Sequence, residues 1–199
     1  MAGSKAGGQL RIVAGDLRGR RLEVPAGSGV RPTGDRARQA LFNLLEAGRL
    51  TEGRSPVPGA VVLDAFAGSG ALGFEALSRG AAQAFFIESD PTAAAVLARN
   101  IAALGLEGRA RLLRADAFAP PRPEVSCGLA FLDPPYGRGL GPPALAALLA
   151  AGWLAPGALV SLEVEKTDDP VLPPGFLLLE ERRWGRAKVL LARAGQEVA

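Results

Sequence analysis

The chain has 199 residues, 48% of them apolar, and a formal net charge of +3, which suits one core of ordinary size with a short appendage better than two separate cores. A lone cysteine, Cys127, excludes an internal disulfide, and the absence of histidine excludes Ser-His-Asp triads and zinc sites, so no metal is expected. No apolar run reaches membrane-spanning length and the start lacks the apolar core of a secretory signal, so the expectation is a cytoplasmic protein without a membrane partner.

In chain order, residues 1–9 are small and polar and read as a disordered start. Residues 10–54 read as a basic extension. Leu10 to Val24 alternates loosely around Gly15 and Gly19, which predicts a β-hairpin, and after a Gly/Pro loop Asp35 is placed to cap a helix with apolar positions Ala37, Ala40, Leu41, Leu44 and Leu45. Residues 1–38 are net positive and the remainder is slightly acidic; Lys5, Lys166 and Lys188 are the only lysines, so arginine supplies the charge. Such an arm reads either as a footprint for a polyanion or as a solvated arginine-rich face, and charge alone leaves the two level. Under the first reading, Arg11, Arg18, Arg20, Arg21, Arg31 and Arg38 are the candidate phosphate contacts.

From residue 55 to 199 the pattern is that of one larger domain. Short apolar runs at 60–63, 84–87, 128–132 and 157–162, with a weaker one at 109–114, suit strands buried on both faces of a parallel sheet. Helical segments are expected at about 70–79, 91–104 and 142–151. Two β-like runs at 176–182 and 186–193 predict a terminal hairpin on the sheet edge. The fold class expected is α/β: a doubly wound, Rossmann-like sheet with a terminal β-hairpin and a small N-terminal hairpin-plus-helix extension, its ligands beyond the carboxyl ends of the strands.

The first strand runs into DAFAGSG at 64–70, and Gly68, Gly70 and Gly73 also satisfy the dinucleotide fingerprint G-x-G-x-x-G. Charge separates the two possibilities. A pyrophosphate would meet a like charge at Asp64, whereas S-adenosylmethionine carries an ammonium and a sulfonium and no phosphate, so the carboxylate favours the cationic ligand. Glu88, at the second strand end, suits ribose hydroxyls in either class of cofactor. Asp116, at the third, can accept from an adenine amino group.

The fourth strand ends in FLDPPY at 131–136. Two prolines after a strand fix a stiff turn without amide donors of its own, leaving the Asp133 carboxylate and the Pro134 carbonyl as acceptors. Two acceptors can hold the hydrogens of an exocyclic base amine and stabilise the positive charge that develops as it is alkylated. Tyr136 offers a face for stacking the base. Cys127 precedes a buried strand and reads as packing, which disfavours the cysteine-dependent methylation of pyrimidine carbon. On the residues alone, guanine N2 and adenine N6 remain open as the amine, and a non-catalytic nucleotide- or RNA-binding module remains the rival from another class.

The sequence resembles the bacterial family of small-subunit (16S) ribosomal RNA guanine-N2 methyltransferases. The likeness runs from RIVAGDLRGRRL through VRPTGDRARQALFNLL, LDAFAGSGALGFEALSRGA and NIAALGL to FLDPPY and the terminal hairpin. It implies a Rossmann-like S-adenosylmethionine methyltransferase fold and cofactor contacts from Asp64, Phe66, Gly68, Gly70, Glu88, Asp116 and Ala117. It also implies that Asp133, Pro134, Pro135 and Tyr136 hold guanine, with 16S ribosomal RNA in a small-subunit assembly as partner. Ser126-Cys127-Gly128 departs from the family, where an acidic residue is common before the catalytic strand.

Overall fold

The computed structural model describes residues 10–25 and 32–195; the expected disordered start at 1–9 and Arg31 lie outside them. The apolar runs become strands β1 (Val61–Ala65), β2 (Gln83–Ile87), β3 (Ala110–Leu113), β4 (Cys127–Leu132) and β5 (Leu154–Glu165), followed by the hairpin β6 (Phe176–Trp184) and β7 (Ala187–Ala194). Their order is β3-β2-β1-β4-β5-β7-β6, with the first five parallel and β7 antiparallel to both of its neighbours. The winding reverses between β1 and β4, which opens a crevice at their carboxyl ends.

Alternation along each strand divides the core into two layers. Val62, Ala84, Phe86, Leu129 and Phe131 share one apolar cluster with helices α1 (Pro32–Glu46), α2 (Ala71–Ser78) and α3 (Pro91–Leu104). Leu63, Ala65, Phe85, Ile87, Ala130 and Leu132 face the other way, onto α4 (Gly141–Ala150) and Trp153. Helix α3 keeps its expected limits because both ends are specified: Asp90 accepts from the amides of Thr92 and Ala93, Pro91 follows it, and Gly105 closes the helix at φ 69°.

The N-terminal extension differs from expectation in two ways. Its hairpin reduces to one antiparallel bridge, Arg11 with Arg21, beside which Ile12 donates to the Arg20 carbonyl and Leu22 to that of Leu10. Helix α1 starts at Pro32, so Asp35 sits in its first turn instead of capping it.

The bridge is short because the segment's polar groups turn towards α2. Glu75, fully buried, accepts from the amides of Val13 (2.8 Å) and Ala14 (3.0 Å), and Ser78 Oγ accepts from the Leu17 amide. Gly15 permits this approach, since a Cβ there would lie 1.9 Å from the Ser78 carbonyl oxygen. Ile12, Leu22, Leu41, Phe42 and Leu45 then enter the same cluster as the sheet residues.

Candidate active site

A cavity of about 930 Å³ occupies the crevice between the ends of β1 and β4. Asp64, Phe66, Gly68 and Glu88 line it together with Asp133, Pro134, Pro135 and Tyr136, so the structure brings the two expected halves of the site into one space. The parallel pairing of Ala65 with Leu132 and with Ile87 explains the convergence, because it sets the three strand ends side by side.

Asp64 is 2% exposed, and its Oδ2 accepts from the Gly73 amide at 2.8 Å. Burial, opposed by that hydrogen bond and reinforced by the negative charges of Asp133 and Glu88, pushes its pKa up to about 8. A cation beside it would reverse this destabilisation, which is the electrostatic requirement set out from the sequence. Glu88 receives the Gly68 amide on Oε2 at 2.7 Å and the Asp90 amide on Oε1 at 2.8 Å, so it fixes the glycine loop and the start of α3 while lining the cavity.

The glycines of the loop serve different ends. A Cβ on Gly68 would meet open space, so its backbone is accessible to a ligand. Gly70 instead packs inward, where a Cβ would come within 2.5 Å of both Leu97 and Phe74. Phe66 stands at φ 61°, a left-handed conformation that costs a residue with a side chain about 1–3 kcal/mol and is held here by the packed strand end. Its ring lines the cavity and meets Phe118 edge-on, with centroids 5.8 Å apart.

Asp116 and Ala117 follow β3 and do not line the cavity. Asp116 is exposed, with Oδ1 accepting from the Phe118 amide, and Ala117 is buried. Tyr136 donates its hydroxyl hydrogen to Glu163 of β5. Trp184, the last residue of β6, and Arg186, in the turn that follows, also line the cavity.

Of the arginines expected on the arm, Arg11, Arg18, Arg20 and Arg21 are exposed, and Arg20 donates to the Ala103 carbonyl at the end of α3. Arg38 is a correction. It is 6% exposed, and its guanidinium binds Glu75 (3.4 Å), Asp35 (2.9 Å) and the Arg11 carbonyl, so it holds the arm from within instead of reaching outward for phosphate. Helical spacing marked Ala37 and Leu41 as core but gave no sign that Arg38 would meet a buried carboxylate.

Residues not anticipated from the sequence include Glu75, Asn100 and Glu163. Asn100 is 2% exposed and bridges Glu23 of the arm and the Ser69 carbonyl of the glycine loop. A polar residue between the apolar positions Leu97, Ile101 and Leu104 of a helix is the signal that could have marked it. Among the described residues, no group of three or more acidic, cysteine or histidine side chains is placed to hold a metal ion, and no helix is long and apolar enough to cross a membrane.

The strand order, the glycine turn over a buried acid and the proline-stiffened end of β4 define the Rossmann-like methyltransferase class. Within it, the chain belongs to the family described as conserved hypothetical protein 95, which matches residues 10–193. It is 38% identical over 184 residues to the ribosomal RNA small subunit methyltransferase D of Haemophilus influenzae, spanning 90% of this chain and 91% of that protein. The protein of the same name from Escherichia coli K12 is 41% identical over 182 residues, spanning 90% and 87%. Among solved structures, an Escherichia coli protein titled provisionally as a methyltransferase superposes with a TM-score of 0.78 at 38% identity, over 96% of this chain and 100% of that one. A hypothetical protein of a Thermus species superposes with a TM-score of 0.69 at 36% identity, over 92% and 98%.

Proposed function

We propose that the protein transfers a methyl group from S-adenosylmethionine to the 2-amino group of a guanine in 16S ribosomal RNA. The observation that carries this reading is the single cavity that joins Asp64 and Glu88 to the segment Asp133–Tyr136. The donor set fits the cofactor: Asp64 is a buried acid whose ionised form needs a nearby cation, and Glu88 lines the cavity where ribose hydroxyls would be held. The open side of Gly68 and the ring of Phe66 supply close backbone approach and an apolar wall, while Asp116 accepts from the amide of Phe118, whose ring meets that of Phe66. When bound, S-adenosylmethionine supplies an electrophilic methyl carbon on a sulfonium.

The chain's own residues then have three tasks. Asp133 and the Pro134 carbonyl accept the two amine hydrogens, which aims the nitrogen lone pair out of the base plane and stabilises the charge that grows on the amine. Asp133 or water beside it takes the proton that the alkylated nitrogen sheds. Tyr136 packs against the base, and Pro135 keeps the turn rigid. Arg11, Arg18, Arg20 and Arg21 present an exposed basic surface to the RNA backbone, for which Arg31 is a further candidate. The names of the Haemophilus and Escherichia relatives support small-subunit ribosomal RNA as the substrate.

The direct test is mass spectrometry of nucleosides from ribosomal RNA of cells with and without this protein. N2-methylguanosine should fall in the 16S fraction when it is absent. An unchanged guanosine profile with loss of N6-methyladenosine would refute the choice of base.

A further inference from the structure

We propose that Glu163 reads the Watson–Crick edge of the target base and makes the site select guanine over adenine. The inference rests on the reading of the cavity as an amine-methylating site and adds to it the residue that chooses between the two purines.

Strand register places Glu163 for this role. β4 and β5 are parallel neighbours with Leu132 paired to Leu162, so the next residue of each, Asp133 and Glu163, stand side by side at the mouth of the crevice. Neighbouring strands lie about 4.8 Å apart, a spacing that lets two carboxylates bracket one base edge. Both residues line the same cavity, as do Pro134 and Tyr136. Opposite Glu163, its partner on β7 is Val189, which also lines the cavity, so the acid faces the ligand space along an apolar wall.

Guanine presents three donor hydrogens along that edge, one on N1 and two on the 2-amino group. Asp133 and the Pro134 carbonyl account for the amine hydrogens. A third acceptor is needed for N1–H, and Glu163 is the side chain placed beside them to supply it. Adenine has an unprotonated N1 at the corresponding point, which would set a lone pair against the carboxylate. A polar site built to satisfy a hydrogen-bonding group rejects the analogue lacking it far more strongly than an apolar pocket does.

The hydrogen bond from Tyr136 is compatible with this role and sharpens it. A carboxylate has about four acceptor sites, so receiving one hydroxyl does not exhaust it, and that bond fixes the orientation of the group relative to the base. It also provides a substitution that separates the two duties. In E163Q the amide oxygen can still accept from Tyr136 while the amide nitrogen presents a donor where the acid presented an acceptor.

The test uses the 16S segment in which nucleoside mass spectrometry locates the mark, synthesised with guanine, 2-aminopurine or adenine at that position. 2-Aminopurine keeps the 2-amino group but, like adenine, has an acceptor at N1. Methyl transfer to each RNA is measured for the unaltered chain, E163Q and E163A, with cofactor binding followed by calorimetry to show that the variants are folded. The unaltered chain should favour guanine over 2-aminopurine by about tenfold or more. E163Q should bring that ratio close to one, and E163A should lower it without restoring turnover on 2-aminopurine. If both variants lose activity equally on guanine and 2-aminopurine RNA, the proposal is overturned and Glu163 serves only to hold Tyr136. Methylation of the adenine RNA alone by the unaltered chain overturns the choice of base as well, an outcome distinct from the first.

Discussion

Asp64 makes the binding of a cationic ligand depend on protons in a way that can be worked out in advance. With its pKa raised to about 8, the group is about 97% protonated at pH 6.5, and ionising it there costs about 2 kcal/mol. An α-ammonium group has a pKa of about 7.7–8.0, so at that pH the ligand also arrives protonated. Bringing the two together leaves one shared proton, and nearly one proton is released per ligand bound at pH 6.5. The balance crosses zero near pH 8 and becomes uptake above it, where both groups start deprotonated. Calorimetry of S-adenosylmethionine at pH 6.5 in phosphate and in Tris should therefore give enthalpies that differ by nearly the full difference in buffer ionisation enthalpy. In the free protein the same raised pKa acts on stability with a definite sign: stability is fully present below the ordinary carboxylate range and falls by about 1.4 kcal/mol per pH unit as pH rises towards 8. Asp64→Asn should abolish both dependences and weaken binding by about 1.5–3 kcal/mol. Equal binding enthalpies in the two buffers at pH 6.5 would show that the ammonium does not meet Asp64.

Asp133→Ala should raise the barrier to methyl transfer by about 2.7–4 kcal/mol while S-adenosylmethionine affinity measured by calorimetry changes little; near-normal single-turnover rates would dismiss the amine-holding role. Glu75→Ala should cost about 3–5 kcal/mol in urea unfolding, since it takes the buried carboxylate away from Arg38 and Arg79 and leaves the amides of Val13 and Ala14 without their acceptor. A loss below about 1 kcal/mol, the range of exposed pairs, would mean that water reaches this network. Replacing Arg18, Arg20 and Arg21 by Gln should flatten the dependence of log affinity for RNA on log salt by about 1.4 if only Arg18 and Arg21 reach phosphate, and by about 2 if Arg20 also leaves Ala103. Coincident slopes would move the RNA contact to the turn that carries Arg186.

The strands were legible because a sheet covered on both faces demands unbroken apolar runs, and Val61–Ala65, Gln83–Ile87 and Cys127–Leu132 supply them. The grouping of Asp64, Phe66, Gly68 and Glu88 around one cavity was legible for a related reason: glycines and an acid at a strand end have few structural uses in combination. Glu163 was hidden by strand length. β5 runs to Glu165, past the apolar run that ended at residue 162, so the acid belongs to the strand and not to a following loop. Its adjacency to Asp133 comes from strand register, a relation between segments thirty residues apart that no local pattern encodes. Arg38 was misread because an arginine on a mostly polar helix face looks the same in sequence whether it meets solvent or a buried partner such as Glu75.

The arm and the glycine loop are parts of one mechanical unit. Leu10, Val24, Ala37, Arg38 and Leu41, from the N-terminal extension, line the same cavity as Tyr136, Glu163 and Trp184. Two buried polar groups tie that side down: Glu75 through α2, and Asn100 through α3, whose amide reaches both Glu23 of the arm and Ser69 of the glycine loop. Arg79 adds to the tie, pairing with Glu75 and Glu46 at 2.8 Å each and lying over the Phe42 ring. A segment held by fully buried charge pairs and by apolar residues in the main core cannot shift without moving a wall of the cavity. The exposed arginines of this segment and the glycine loop are thus carried on backbone that Glu75 ties to α2 and Asn100 ties to α3.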